Sequence, residues 1–237
     1  MNIQQQLLAN KKNKQKLLAI LLDPDKVSLK KIDKLIYNLS KIKADLILVG
    51  GSLISNGHFK KLIKKLKKKC ALPVIIFPGD TMQVSKKADA ILLLSLISGR
   101  NPEYLIGKQV EVAPLLHRLK TETISTGYIL IENGHTTSVE YISNTRPIPR
   151  NKTDIALATA LAGQMLGLQM LYLEAGSGAK EPVPLSMIEQ ITTQVNIPVW
   201  VGGGIRTRKQ ILEAWNAGAD VVVVGTAFEQ GKDELGV

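Results

Sequence analysis

Polar residues and glycines stand at the ends of successive apolar runs. Asp23 and Asp25 follow the run Leu17 to Leu22, and Ser52 follows Val49-Gly50-Gly51. Asp80, Ser95 and Glu132 come after the next three runs, then Glu174 with Ser177. Two glycine turns come later, Gly203-Gly204 and Gly225-Thr226. Carboxylates and a hydroxyl are hard oxygen ligands, the kind Mg²⁺ takes when it works with substrate phosphates. Bare glycine lets backbone N–H groups approach an anion, and a helix start after the turn adds the positive end of its dipole. Plainer readings exist: Asp23 as a turn residue before Pro24, and the glycines as helix stops and tight turns. His58, His117 and His135 have no metal-ligand spacing, and Cys70 lacks a partner for nucleophilic catalysis.

Eight short apolar runs could place these residues on one face. They are Leu17 to Leu22, Asp45 to Val49, Pro73 to Phe77, Ile91 to Leu94, Gly127 to Ile131, Gln169 to Leu173, Pro198 to Val201 and Asp220 to Val224. Runs like these suit strands buried on both faces. Helical spacing fills most gaps: Leu29 to Ile42, His58 to Lys69, Pro102 to Leu119, Asp154 to Leu168, Pro184 to Val195 and Lys209 to Ala217. Ile3, Leu7 and Leu8 predict a short opening helix. The gap between the third and fourth runs is too short for more than a stunted helix. The polar stretch His135 to Lys152 carries Arg146 and Arg150, and is expected to be a mobile lid whose guanidinium groups suit phosphate oxygens. Alternating strands and helices imply a parallel sheet. Eight units predict an α/β, single-domain (β/α)8 TIM barrel over 1–237, with helix 3 reduced to a short segment. Its active site would lie at the C-terminal strand ends, with a phosphate site after strands seven and eight.

Composition narrows the partners. Of 237 residues 45% are hydrophobic, enough for a sizeable core, and no run is long enough to span a membrane. One cysteine excludes an internal disulfide, and Met1 to Lys16 lacks a signal-peptide core, so a cytoplasmic setting is expected. The net charge of +11 points to anionic partners. Seven lysines crowd Lys60 to Lys69, without the interleaved aromatics that stack bases, so nucleic acid is not expected. They read as a solvated face, with a weak role in approaching anionic membranes as the alternative.

The motifs together resemble the geranylgeranylglyceryl phosphate synthase family, which includes bacterial heptaprenylglyceryl phosphate synthases. The matching segments run in family order. They are Leu21-Leu22-Asp23-Pro24-Asp25-Lys26, Val49-Gly50-Gly51-Ser52, Ala90 to Ser95 with Asn101-Pro102, Gly127-Tyr128-Ile129, Tyr172-Leu173-Glu174-Ala175-Gly176-Ser177-Gly178, Val201 to Arg206, and Val224-Gly225-Thr226. The resemblance implies a transferase that joins sn-glycerol 1-phosphate to a long prenyl diphosphate with Mg²⁺, making the first ether bond of a lipid. It implies Asp23 and Ser52 as metal residues. It implies Tyr172, Leu173, Glu174, Ala175, Gly176, Ser177, Gly178, Gly203, Gly204, Gly225 and Thr226 as the glycerol phosphate site. One subgroup has lysine two residues before the first aspartate; here that residue is Leu21, with Lys26 or an arginine as the compensating cation.

Glu174, at a strand end beside that site, is the expected general base, with Tyr172 orienting the attacking hydroxyl. The prenyl tail requires an apolar groove, with the helix Ile155 to Gly167 and the stretch Leu92 to Ile97 as candidate walls, although small residues there fit ordinary close helix packing equally well. A homo-oligomer is expected. The competing enzyme reading is a phosphate-binding isomerase or synthase of amino-acid biosynthesis, which would share the last two glycine turns. It does not predict the Tyr172 to Gly178 segment.

Overall fold

The computed structural model describes residues 2–55 and 57–229. Eight parallel strands close in sequence order into a barrel: β1 (Leu17–Leu22), β2 (Leu46–Val49), β3 (Val74–Ile76), β4 (Ala90–Leu96), β5 (Glu122–Leu130), β6 (Met170–Glu174), β7 (Val199–Gly202) and β8 (Val221–Val224). β8 returns to pair with β1, Leu17 opposite Val221 and Ile20 opposite Val224, so no edge is left open. Strand side chains alternate in direction, which gives the barrel two cores. Leu48, Ile75, Leu92, Tyr172, Trp200 and Val223 belong to the inner one. Ile47, Val49, Ile76, Leu171, Leu173 and Val222 pack outward against the helices.

Those helices are α1 (Ile3–Lys12), α2 (Ile32–Lys41), α3 (Phe59–Lys69), α4 (Lys108–Leu119), α5 (Ser138–Ser143), α6 (Thr153–Met165), α7 (Leu185–Gln194), α8 (Arg208–Asn216) and α9 (Thr226–Glu229). α1 closes the N-terminal mouth of the barrel. Its first free N–H groups, on Ile3 and Gln4, donate to the two oxygens of Glu122 at 2.8 Å, and Ile3 and Leu7 enter the inner core. Leu8 stays 41% exposed, so the opening helix buries two of the three residues that announce it.

The structure departs from the sequence reading in three further places. β5 begins at Glu122 rather than Gly127, because Thr123 and Ser125 hide the strand pattern while pairing with Ile91 and Leu93 of β4. The long helix expected from Pro102 splits into a π-helical segment, Glu103–Gly107, and α4. The stretch after β5 is not a bare loop. It carries α5, capped by the Thr137 side chain on the Glu140 N–H, and Ile148 bridges to Ile131.

The stunted third helix is an expectation the structure meets in full. Between β3 and β4 the chain makes only turns, so one sector of the barrel wall has no helix over it. Outward residues Ile91 and Leu93 of β4 therefore face an apolar groove instead of a packed helix. Among the described residues, no helix is long and apolar enough to cross a membrane.

Candidate active site

The strand ends gather into a polar cavity at the C-terminal mouth. Asp23, Lys26, Ser52, Tyr128, Tyr172, Glu174, Gly176, Ser177, Gly178, Gly203, Gly204, Gly225 and Thr226 all line it. Leu173 and Ala175 are the exceptions among the expected residues. Strand alternation sends Tyr172 and Glu174 inward and turns Leu173 outward, and both Leu173 and Ala175 bury their side chains in the outer core. Of the other strand-end polar groups, Asp25 ties the next loop through the Ser55 N–H and hydroxyl. Ser95 donates to the Leu105 carbonyl, and Asp80 lies on the groove rim.

Glu174 is the buried carboxylate of this cavity. Its residue is 6% exposed, and one carboxylate oxygen accepts the Gly176 N–H at 2.5 Å. Burial disfavours the charged form and pushes its pKa up to about 7. The Gly176 N–H, then the Tyr172 and Tyr128 hydroxyls, pull the other way and keep ionisation within reach. Burial holds both tyrosines well above the usual phenol range, so they stay protonated donors. They stand opposite each other in the β5–β6 register.

Two glycines make room for this group. A Cβ on Gly202 would stand 2.3 Å from the Tyr172 hydroxyl oxygen, and one on Gly203 would stand 2.5 Å from Glu174 Oε1. Gly204, at φ +71, faces elsewhere: its Cβ would strike the Glu181–Pro182 backbone at 2.7 Å. A side chain there would break the loop rather than fill the cavity. Gly225 is different, since its Cβ would make ordinary contact with Leu21 at 3.6 Å, inside the cavity.

The cations divide their work. Lys26 pairs with Asp23 at 3.3 Å and Glu229 at 3.2 Å. Burial lowers its pKa, but Glu229 and then Asp23 outweigh that and leave it raised, so Lys26 stays charged. Arg206 also lines the cavity, but its guanidinium binds the carbonyls of Ala179, Lys180 and Gly204, fastening the loop after β6 to the loop after β7. Lys26 is thus the cation paired with Asp23. The expected lid arginines are elsewhere. Arg150 pairs with Glu181 at 3.0 Å and holds the Pro182 carbonyl outside the cavity, while Arg146 borders a cleft with Ser98 to Asn101. Short helix α5 instead offers Ser138, Val139 and Ile142 to the cavity. Thr137, just before it, sits 2.3 Å from where a Gly176 Cβ would be, so this cover rests directly on the Glu174 loop.

The apolar groove opens beside the cavity. Phe77, Val84, Ile91, Leu92, Leu93, Leu94, Leu96, Tyr104 and Val112 form most of its wall. Leu92, Leu93, Leu94 and Leu96 of the candidate stretch line this groove, while Ile97 packs toward Gly127 and Gly163. The alanine-rich helix does not line it, because α6 packs against α7 and the β5–β6 side of the barrel. Gly51, Ser52, Phe77, Tyr128 and Val139 border both the groove and the cavity. Phe77 stacks at 5.1 Å on Tyr172 and 5.9 Å on Tyr128, so an aromatic partition runs up to the two tyrosines that face Glu174.

A polar cavity at the strand ends thus adjoins an apolar groove, and both can be set beside relatives. The PcrB family model matches residues 10–235. The chain belongs to the PcrB family. A geranylgeranylglyceryl phosphate synthase of Flavobacterium johnsoniae is 57% identical over 227 residues, covering 96% of this chain and 93% of that relative. A crystal structure of (S)-3-O-geranylgeranylglyceryl phosphate synthase from Thermoplasma acidophilum, in complex with its substrate sn-glycerol-1-phosphate, superposes with a TM-score of 0.92 at 33% identity. That match covers 99% of this chain and 94% of the other. A mutant tryptophan synthase alpha-subunit from Pyrococcus furiosus shares the fold alone, with a TM-score of 0.58 at 13% identity over 90% of this chain and 88% of its own.

Tyr128, Phe77 and Arg206 are site residues that sequence reasoning did not assign. Tyr128 had a readable signal, because it shares strand parity with Ile124 and sits in the Gly127-Tyr128-Ile129 motif. Arg206 likewise ends the Val201 to Arg206 motif, whereas the role of Phe77 depends on its contacts with Tyr128 and Tyr172 and leaves no local trace.

Proposed function

We propose that this PcrB-family chain is a prenyltransferase that joins sn-glycerol 1-phosphate to a long-chain prenyl diphosphate, geranylgeranyl or longer. The reaction makes an ether bond and releases diphosphate in lipid biosynthesis. One observation carries this reading: the polar cavity holding Glu174 shares the wall Gly51, Ser52, Phe77, Tyr128 and Val139 with an apolar groove. A tail lying in the groove puts its allylic carbon at that wall, within the cavity where a glycerol hydroxyl would lie. The amino-acid-pathway reading needs the glycine turns but has no use for the groove.

The glycerol phosphate group fits among Ser177, Gly178, Gly203, Gly204, Gly225 and Thr226, where glycine backbone leaves N–H groups accessible. Fixing the phosphate fixes the hydroxyl relative to the allylic carbon. Tyr172 and Tyr128 hold the Glu174 side of that hydroxyl. The hydroxyl oxygen bonds to the allylic carbon as the carbon–oxygen bond to diphosphate breaks. The electron pair leaves with diphosphate, and the hydroxyl proton passes to Glu174, whose pKa of about 7 suits a base working near neutrality.

Mg²⁺ fits the donors on the opposite side. Asp23 and Ser52 offer one carboxylate and one hydroxyl, and among the described residues no group of three or more His, Cys, Asp or Glu gathers to hold an ion alone. Such a sparse oxygen set suits an ion that keeps waters and shares substrate phosphates. Bound there, it would neutralise charge developing on the departing diphosphate. Lys26, already paired with Asp23, adds a fixed positive charge at the same place.

The test is product analysis with labelled sn-glycerol 1-phosphate and a ladder of prenyl diphosphates. An ether-linked prenylglyceryl phosphate, formed with an optimum at long chains and lost on chelation, is the expected result. Turnover of glycerol phosphate without any prenyl donor would sink the reading.

A further inference from the structure

The sector without a helix has a charge pattern that the catalytic site does not use. Lys67 of α3 reaches toward it and binds both oxygens of Asp89, just before β4, at 2.8 Å. Lys60 and Lys64 lie seven and three residues earlier on the same helix, so they share that flank. The opposite flank faces α2, where Lys69 binds Asp33 and Lys65 donates to the Leu29 carbonyl. Lys86 and Lys87 stand exposed on the turns that replace the missing helix. Among the described residues, no ion pair engages Lys60, Lys64, Lys86 or Lys87. Acidic groups nearby are mostly compensated: Asp89 by Lys67, and Glu103 and Glu111 by Lys108. Asp80, on the groove rim, is the exception.

Two large apolar side chains project from the same side. Met82, between β3 and β4, is 84% exposed, and Leu53, in the loop after β2, is 76% exposed. Their loops touch, since a Cβ on Gly79 would stand 2.2 Å from the Gly51 carbonyl oxygen. These two loops supply Gly51, Ser52, Gly79 and Thr81 to the lip of the groove, and Leu53 itself borders the neighbouring polar cavity.

We propose that this helix-free face docks on an anionic lipid surface, with Lys60, Lys64, Lys86 and Lys87 against headgroups and Met82 and Leu53 dipping between them. The inference rests on the prenyltransferase reading for its purpose. A long prenyl diphosphate is an amphiphile that partitions into bilayers, and a groove mouth pressed to the membrane takes up the tail without exposing it to water. Basic residues near an anionic leaflet and shallow apolar insertion act together in such docking.

The experiment measures co-sedimentation of the full chain with phosphatidylglycerol-containing vesicles and with pure phosphatidylcholine vesicles. Wild type should bind the anionic vesicles in a salt-sensitive way and the neutral ones weakly. Replacing Lys60, Lys64, Lys86 and Lys87 by glutamate should weaken binding by at least about fivefold per lysine. Met82→Asp should weaken it on its own. A control carrying Lys12→Glu, Lys14→Glu, Lys34→Glu and Lys41→Glu has the same net charge and should bind much more tightly than the four-lysine variant. Equal binding by both variants reduces the effect to bulk charge and overturns the proposal. So does wild-type failure to bind, or a change in sedimentation coefficient showing that the face joins two copies of the chain. Turnover of a short, soluble prenyl diphosphate without vesicles separates the two claims. It should be the same in wild type and variants, and a wild type that turns over neither this donor nor a detergent-solubilised long one would defeat the functional reading while leaving the docking measurement intact.

Discussion

The polar cavity and the apolar groove share a wall, yet they are built in opposite ways. The cavity comes from strand-end loops whose residues are close in sequence: Tyr172 to Gly178, Gly202 to Arg206, Gly225 to Glu229. Its tolerances are tight, with Gly202 and Gly203 each leaving no room for a methyl group beside Tyr172 and Glu174. The groove comes from an omission. With no helix between β3 and β4, residues as distant as Phe77, Leu92, Tyr104, Tyr128 and Val139 share one apolar space. Orienting a hydroxyl and moving a proton require fixed geometry, whereas burying a flexible tail requires only apolar area of the right length. Changes in the cavity should therefore damage the chemistry, and changes in the groove should alter which substrate is chosen.

The largest expected effect is at Glu174. Glu174→Gln keeps shape and reach but loses the proton acceptor, and kcat should fall about 10²- to 10⁴-fold. Glycerol phosphate affinity should change far less. The wild-type kcat/KM should fall on the acid side of about pH 7 as Glu174 takes up its proton, and the variant should lose that limb. A drop of less than tenfold with the limb intact would reduce Glu174 to a positioning role and send the proton to water or diphosphate.

The same substitution should stabilise the fold at alkaline pH. Glu174 has a folded pKa raised from 4.5 to about 7, so between those values the folded state holds a proton that the unfolded state has released. Wild-type stability therefore falls as pH rises through that window, by roughly 3 kcal/mol once Glu174 is fully ionised. Glutamine does not titrate. Denaturant melts should show Glu174→Gln gaining stability relative to wild type between pH 5 and pH 8. A constant difference across that range would mean the buried carboxylate is better solvated than its surroundings indicate.

The cavity was far more legible in the sequence than the groove, and the reason is the same difference in construction. Strand-end polar residues mark themselves by following apolar runs, and all but Leu173 and Ala175 of the expected residues line the cavity. Those two exceptions obey a rule that was available, since strand alternation allows Glu174 and Leu173 only opposite directions. The barrel and its gap were equally readable from run lengths. The groove needs packing information that no local pattern holds, so α6 looked as good a wall as β4. The two arginines stand outside the cavity in this arrangement for a related reason. Their type suits phosphate, but the ordering of 138–148 by α5 and the Ile131–Ile148 bridge, which places them, is not visible in a polar stretch.

A pair of substitutions sets the two regions directly against each other. Val112→Phe adds bulk to the groove wall, while Gly225→Ala adds a methyl group facing Leu21 at ordinary contact distance, without backbone strain. Val112→Phe should raise KM for the longest prenyl diphosphates by about tenfold and leave the shortest nearly untouched, a differential of ~1.4 kcal/mol. Gly225→Ala should raise KM for glycerol phosphate by a similar factor at every tail length. If both variants lose the same substrate, the cavity and groove are one pocket and the division fails.

The smallest expected effect concerns Arg146. An arginine on the stretch after β5 would matter greatly if that stretch closed its guanidinium over the diphosphate. Arg146 is exposed, and the cleft it borders, with Ser98, Gly99, Arg100 and Asn101, shares no residue with the catalytic cavity or the groove. Arg146→Ala should therefore change KM for prenyl diphosphate by no more than about twofold, the scale of an exposed charge left unpaired by substrate. The partner experiment is at α5, whose Ile142 does line the cavity. Ile142→Asp would place a carboxylate where two anionic substrates must sit, and should cost more affinity than the loss of Arg146. Measured side by side, these variants locate the contact made by this segment. If Arg146→Ala weakens prenyl diphosphate binding tenfold while Ile142→Asp is silent, the segment must swing its arginine inward during the reaction, and the cavity is not complete as it stands.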